Sequence, residues 1–171
     1  DVVVRELDRE ALRRMEVETA RRERNARLDA ERALADERTL RARIAALHDL
    51  STALGAAGST EAVAAAVVER LPRFERASAV SVYVLREGAA KLEAAAGFAP
   101  GALDAWTTLP LTRDTPLTNA LRERRTVRIG DRAALRESVP EVEAPDGSWL
   151  AVPLLSREEP LGVLGVRFER E

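Results

Sequence analysis

The chain contains no cysteine and one histidine, His48, in 171 residues. The missing thiols remove disulfides, thiolate metal sites, cysteine nucleophiles and thioether-linked cofactors together. A single imidazole cannot supply a histidine cluster for a metal. Aromatic residues make up only 4% of the sequence, so any core must be built mostly from Ala, Val and Leu. No run approaches the ~18 apolar residues needed to span a bilayer, and no secretory leader is visible at the start. The formal net charge is -2 and the pI about 5.7, so no general basic field draws the chain to nucleic acid or anionic membrane. A cytoplasmic protein without membrane or nucleic-acid partners is expected. The first residue is Asp1, which suggests a segment of a longer chain.

Proline and glycine are also absent from Arg5 to Leu54. This stretch consists largely of Ala, Arg, Glu and Leu, which are good helix formers. A helix of that length would run ~75 Å, far more than a small domain uses. Residues 1–54 are therefore read as a long charged signalling or coiled-coil helix, with Asp1–Val4 belonging to it or to something upstream. Glu10/Arg14, Glu18/Arg22, Glu23/Arg27 and Glu37/Arg41 are spaced for favourable surface pairs. Leu40, Ile44, Leu47, Ser51 and Leu54 step by four and three as a coiled-coil seam does. Extended backwards, that seam meets Glu37, Glu23 and Glu16. A second register through Leu7, Leu28, Ala35 and Ala42 meets Arg14 and Arg21. Leu40, Ile44, Leu47 and Leu54 are the candidate residues of a homodimer interface. A solvated linker helix is the plainer reading, and a helix that switches register the sharper one.

Gly55–Ser59 ends this helix, and Thr60 or Ser59 can cap a second one from Glu61 to Leu71, stopped by Pro72. The apolar residues of that helix nearly encircle it, so packing on a sheet is expected. Ser78–Leu85 reads as a strand buried on both faces, and Lys91–Gly97 as an outer strand. A short helix at Leu103–Trp106, a strand at Thr107–Leu111, a helix from Pro116 to Arg124 and a strand at Thr126–Ile129 follow. Asp131 can cap a helix to Ser138, and Glu141–Gly147 is a loop. Leu150–Leu155 and Leu161–Phe168 are apolar runs joined through Ser156–Glu159 and Pro160, which reads as a hairpin buried on both faces. Gly162 and Gly165 are expected to let the opening helices pack closely on it. Helices and strands do not alternate regularly. The pattern predicts an α+β fold, an antiparallel sheet of five or six strands with flanking helices.

Leu109–Asp131, with its LPLTRDTPL start, resembles GAF domains, and most of all those of actinobacterial multidomain regulators that carry a sporulation-type protein phosphatase. Leu135–Pro140, the pair Ala151–Leu155 and Leu161–Val166, and His48–Leu71 match further blocks of that family in order. The resemblance implies a GAF domain over residues 44–171, without the helix that usually closes the family fold after the last strand. It also implies a ligand pocket between the sheet and the connections after the second strand. Candidate pocket residues are Tyr83, Phe98, Trp106, Thr108, Asp114, Thr115 and Trp149, of which the aromatics suit a flat ligand or simply a core. Asp114 also suits a helix cap. No catalytic residue and no metal site is expected. Nor is any cofactor: bilin attachment and the methionine sulfoxide reductase activity known in this family both need cysteine, and heme needs a pocket histidine. The Asn-Lys, Phe, Asp-Glu pattern of cyclic-nucleotide GAF domains is missing.

The implied role is a bacterial regulatory sensor that binds a small molecule or a partner domain and signals through a dimeric helix to neighbouring sensor or output domains. One alternative is a module that only dimerises and spaces its neighbours. Another is a histidine-kinase fragment, because His48-Asp49-Leu50-Ser51 partly resembles a phosphoacceptor box. Ser51 and Ala53, however, replace that box's basic residue and proline.

Overall fold

The computed structural model describes residues 2–75, 77–140 and 146–169, with side chains in those ranges apart from 2–14, 16–17 and 73–75. It divides into two compact units, Asp1–Ala45 and Ala46–Glu171. Helix α1 (Val2–Ala56) is unbroken, so Val2–Val4 are helical. In the first unit, surface ion pairs join Glu18 to Arg22 (3.7 Å), Asp29 to Arg32 (3.5 Å) and Glu37 to Arg41 (2.6 Å). Arg27 turns to Glu31 at 2.9 Å rather than back to Glu23. The expected Glu10/Arg14 pair lies outside the described side chains. Such exposed pairs contribute only a few tenths of a kcal/mol each, about 0.3–0.5.

In the second unit, Ser59 begins α2 (Thr60–Glu75): its Oγ accepts from the Ala62 amide at 3.2 Å. This helix does not stop at Pro72. It carries the proline internally, because loss of one N–H is offset by Val67, Val68 and Leu71 packing on the sheet. Nor is it buried all round, since Ala62, Val63 and Ala65 face solvent.

The sheet has six strands: β1 (Ala77–Arg86), β2 (Ala89–Ala96), β3 (Thr108–Pro110), β4 (Val127–Ile129), β5 (Ser148–Ser156) and β6 (Glu159–Phe168). Their order is β3-β2-β1-β6-β5-β4, and every pairing is antiparallel. The expected α+β fold is therefore what forms. Lys91–Gly97 is an outer strand except at its start, because β3 covers Ala89–Lys91 and the Thr107 carbonyl accepts from the Leu92 amide. Helices α3 (Pro116–Glu123) and α4 (Arg132–Ser138) complete the unit. Asp131 caps α4 through the Ala134 amide at 2.9 Å. No described helix is long and apolar enough to cross a membrane.

The closing hairpin departs from expectation at its tip. Arg157 and Glu158 form a two-residue turn, both with positive φ (47° and 71°), the mirror-image turn geometry that suits strand twist. Both strands run up to this turn, and Pro160 lies inside β6. Leu154, Leu155 and Leu161 are 37%, 42% and 55% exposed rather than buried. Strand β4 pairs only with Trp149–Ala151, so β5 and β6 run on past it. The glycines also act differently from expectation. A Cβ on Gly162 would lie 2.1 Å from the Tyr83 carbonyl oxygen of β1, and one on Gly165 would meet Ser81 Oγ at 2.6 Å and Leu117 of α3 at 3.1 Å. They admit a neighbouring strand and α3, not the opening helices.

Candidate functional site

Paired residues in a sheet share a face, and the register separates the two faces clearly. One face carries Ala77, Val80 and Val166 against Val67, Val68 and Leu71 of α2. The other carries Tyr83, Ala90, Leu109, Ala151 and Val163 against Ala120 and Leu121 of α3. The second face holds most of the aromatic and polar groups, so the site is built there.

Helix α3 is fixed on this face by its first turn. Thr115 and Thr118 are fully buried and satisfy each other: the Thr118 amide donates to Thr115 Oγ1 (3.2 Å) and the Thr115 amide to Thr118 Oγ1 (3.0 Å). Thr118 Oγ1 also donates to the Arg113 carbonyl at 2.5 Å. The cap of α3 is therefore Thr115 and not Asp114. Asp114 is exposed and receives Arg122 at 2.9 Å, since its side chain lies one residue too early to reach the open amides.

Tyr83 is 1% exposed within the core cluster, and burial holds its phenol above the usual tyrosine range. Trp106, on the 3-10 turn Asp104–Trp106, packs half-buried against the same cluster. The Arg113 guanidinium covers its ring, 5.0 Å from the centroid. An open groove of about 370 Å³ is lined by Ala95 to Ala99, Gly101, Leu103 and Asp104, the last on the same 3-10 turn as Trp106. Phe98 belongs to this groove. Thr108 is exposed on β3. Trp149 lies across the sheet on β5, between Ile129 and Arg167. Tyr83 and Trp106 thus come together, Asp114 and Thr115 sit at the start of α3, and Phe98 and Trp149 stand at separate places. His48 is exposed on α1, and its carbonyl accepts from Thr52 Oγ1 at 2.8 Å. It does not line the groove.

Sequence reasoning overlooked Ser81, Arg132 and Arg167. Arg167 had a signal, being the one charge inside the apolar run Leu161–Phe168. Arg132 had none. Among the described residues no group of three His, Cys, Asp or Glu side chains is placed to hold a metal.

The GAF domain family model matches residues 57–171. The chain belongs to the GAF domain family. Its fold is similar to the GAF domain of a phosphoenolpyruvate-protein phosphotransferase from Coxiella burnetii, at 21% identity and a TM-score of 0.62 over 74% of this chain and 77% of that one. It is also similar to the free methionine-R-sulfoxide reductase of Neisseria meningitidis, solved with its substrate, at 20% identity and a TM-score of 0.59 over 71% and 70% of the two chains. A third likeness is the nlh2 GAF domain of A. aeolicus in an inactive state, at 10% identity and a TM-score of 0.60 over 75% and 80%. No curated protein is significantly similar to the chain. The fold is shared with a GAF domain of a phosphotransferase and with a reductase alike, and the present chain has no thiol to offer as a nucleophile.

Proposed function

We propose that this GAF domain is the regulatory sensory module of a larger bacterial signal-transduction protein. It binds a small molecule, or a partner domain, on the α3 face and relays the event through a dimeric α1 to neighbouring domains of its parent chain. In this reading the domain makes and breaks no covalent bond, needs no cofactor and works in the cytoplasm. A phosphatase of the sporulation type, as in the actinobacterial regulators it resembles, is the output that suits it.

The observation that carries the reading is the stripe on α1. Leu40, Ile44 and Leu47 are 58%, 57% and 56% exposed at four- and three-residue spacing. Three large apolar side chains so placed favour a second helix, and a second copy of the chain supplies one most simply. Leu54, further along the same register, is half-buried. Leu47→Glu puts a charge into the seam and is expected to turn dimers into monomers in analytical ultracentrifugation. A dimer that survives the change would move the interface elsewhere.

A second reading, a module that only dimerises and spaces its neighbours, is favoured by Tyr83 and Leu109, which are 1% and 0% exposed and fill the centre of the α3 face. Native mass spectrometry of the freshly purified protein separates the two. A bound small molecule supports sensing, and a bare chain with an unresponsive groove supports the spacer.

A further inference from the structure

Arg132 and Arg167 are both half-buried, and no described carboxylate pairs with either. Arg70, also partly covered, is held by Asp49 at 3.1 Å and Glu69 at 3.2 Å. The Nε of Arg132 is buried with no hydrogen-bond partner. The nearest acid in sequence, Asp131, is engaged in capping α4. The Nε of Arg167 donates only to a neutral hydroxyl, Ser78 Oγ, at 2.8 Å. Partial desolvation of a guanidinium without an anion is unfavourable, and it becomes favourable when an oxyanion completes the fork.

The topology brings the two arginines to one end of the sheet. Ile129, Trp149, Arg167 and Ala79 are successive partners across β4, β5, β6 and β1. They form a row on the α3 face, and Arg132 follows Ile129 by three residues as α4 begins. Trp149 stands within this row, half-buried and directly opposite Arg167.

We propose that Arg132 and Arg167 bind the carboxylate or phosphate of a small aromatic anion whose flat part lies on the Trp149 indole. The inference rests on the sensing reading and adds to it the chemistry of the ligand. Arginine suits this task because its planar fork matches both oxyanions. The indole adds an apolar surface with a defined orientation.

The test is thermal unfolding of the whole chain at constant ionic strength in benzoate, inorganic phosphate or benzamide. Benzoate at about ten times its Kd is expected to raise the Tm by about 4 °C, phosphate by less, and neutral benzamide not at all. Arg132→Gln and Arg167→Gln should each weaken benzoate about tenfold or more, whereas Arg128→Gln, exposed on β4, should not. In sodium chloride alone Arg132→Gln should melt about 2 °C higher than the parent, because it removes an uncompensated charge. Should Arg167→Gln fail to fold without its Ser78 contact, the Arg132 variant still decides. Equal shifts with benzamide and benzoate, or a full benzoate response in Arg132→Gln, would overturn the proposal. Equal responses to phosphate and benzoate would remove Trp149 from the site. A neutral co-purifying ligand in the mass spectrum, with no anion response, would overturn the anion while leaving the sensing reading standing.

Discussion

The two faces of the sheet are made from different chemistry. Beneath α2 the chain places Val80, Val166, Leu150 and Leu164, side chains with nothing to offer but area. On the α3 side it places the only tyrosine, both tryptophans, a reciprocal threonine pair in the first turn of α3 and Arg167, with which no described carboxylate pairs. Fully burying a Val or Leu stabilises by about 1.5–3 kcal/mol whatever surrounds it. A buried hydroxyl or guanidinium contributes only when its partners are in place. The α2 face is therefore a scaffold that tolerates volume-conserving change, and the α3 face is where a ligand or a mutation can alter the balance.

The two strand glycines test this contrast most severely, because each belongs to one face. Gly162 pairs with Leu154, on the α2 side, and Gly165 with Ala151, on the α3 side. A Cβ on Gly162 strikes backbone, the Tyr83 carbonyl oxygen at 2.1 Å, which cannot turn aside. Gly162→Ala is expected to cost about 3 kcal/mol or more in urea unfolding, or to prevent folding. A Cβ on Gly165 meets the ends of Ser81 and Leu117, which can rotate. Gly165→Ala should cost about 1–2 kcal/mol and displace α3. Equal costs would show that the α3 side is as rigid as the scaffold.

A smaller effect separates neighbours at the start of α3. Thr115→Ala removes the cap and leaves Thr118 without its partner in a buried site, for an expected loss of about 2 kcal/mol. Asp114→Ala breaks only an exposed pair with Arg122 and should lose less than about 0.5 kcal/mol. Chemical denaturation of the two variants measures the difference. An equal loss in both would place the cap at Asp114.

Much of this architecture was readable before the structure, and what was not readable has physical causes. Strand and helix positions follow from apolar runs and from punctuation by Pro116 and Asp131, so the six-stranded α+β fold was legible, although α1 carries Gly55 and ends one residue later, at Ala56. Local patterns overreached where tertiary packing decides: Pro72 stayed helical because α2 packs on the sheet, and the hairpin tip was left open because β4 is short. The candidate site was legible only in part. Tyr83 and Trp106 could be named as scarce aromatics, but register alone places Arg167 opposite Trp149, and register depends on a bulge between Leu154 and Leu155 that no residue announces. The glycines were assigned to the wrong neighbours for the same reason. Close approach can be inferred from a sequence, but its partner cannot.

The smallest effect at neutral pH is also the one most specific to the α3 face. Tyr83 is the chain's single tyrosine, so phenolate absorbance reports on it alone. Burial holds its phenol above the ordinary value of about 10. The folded state therefore keeps a proton that the unfolded chain releases, and that contribution to stability is complete below about pH 10. As pH rises past the unfolded value the unfolded chain deprotonates first, and stability falls until the folded phenol ionises as well. Folded protein at about pH 11 should show little phenolate signal, and unfolding at that pH should release it in one step. Tyr83→Phe should change stability by less than about 1.5 kcal/mol at pH 7 and should flatten this part of the alkaline decline. A tyrosine that titrates near pH 10 in the folded protein would mean that the centre of the α3 face is open to water, and the contrast between the two faces would then lie in access rather than in packing.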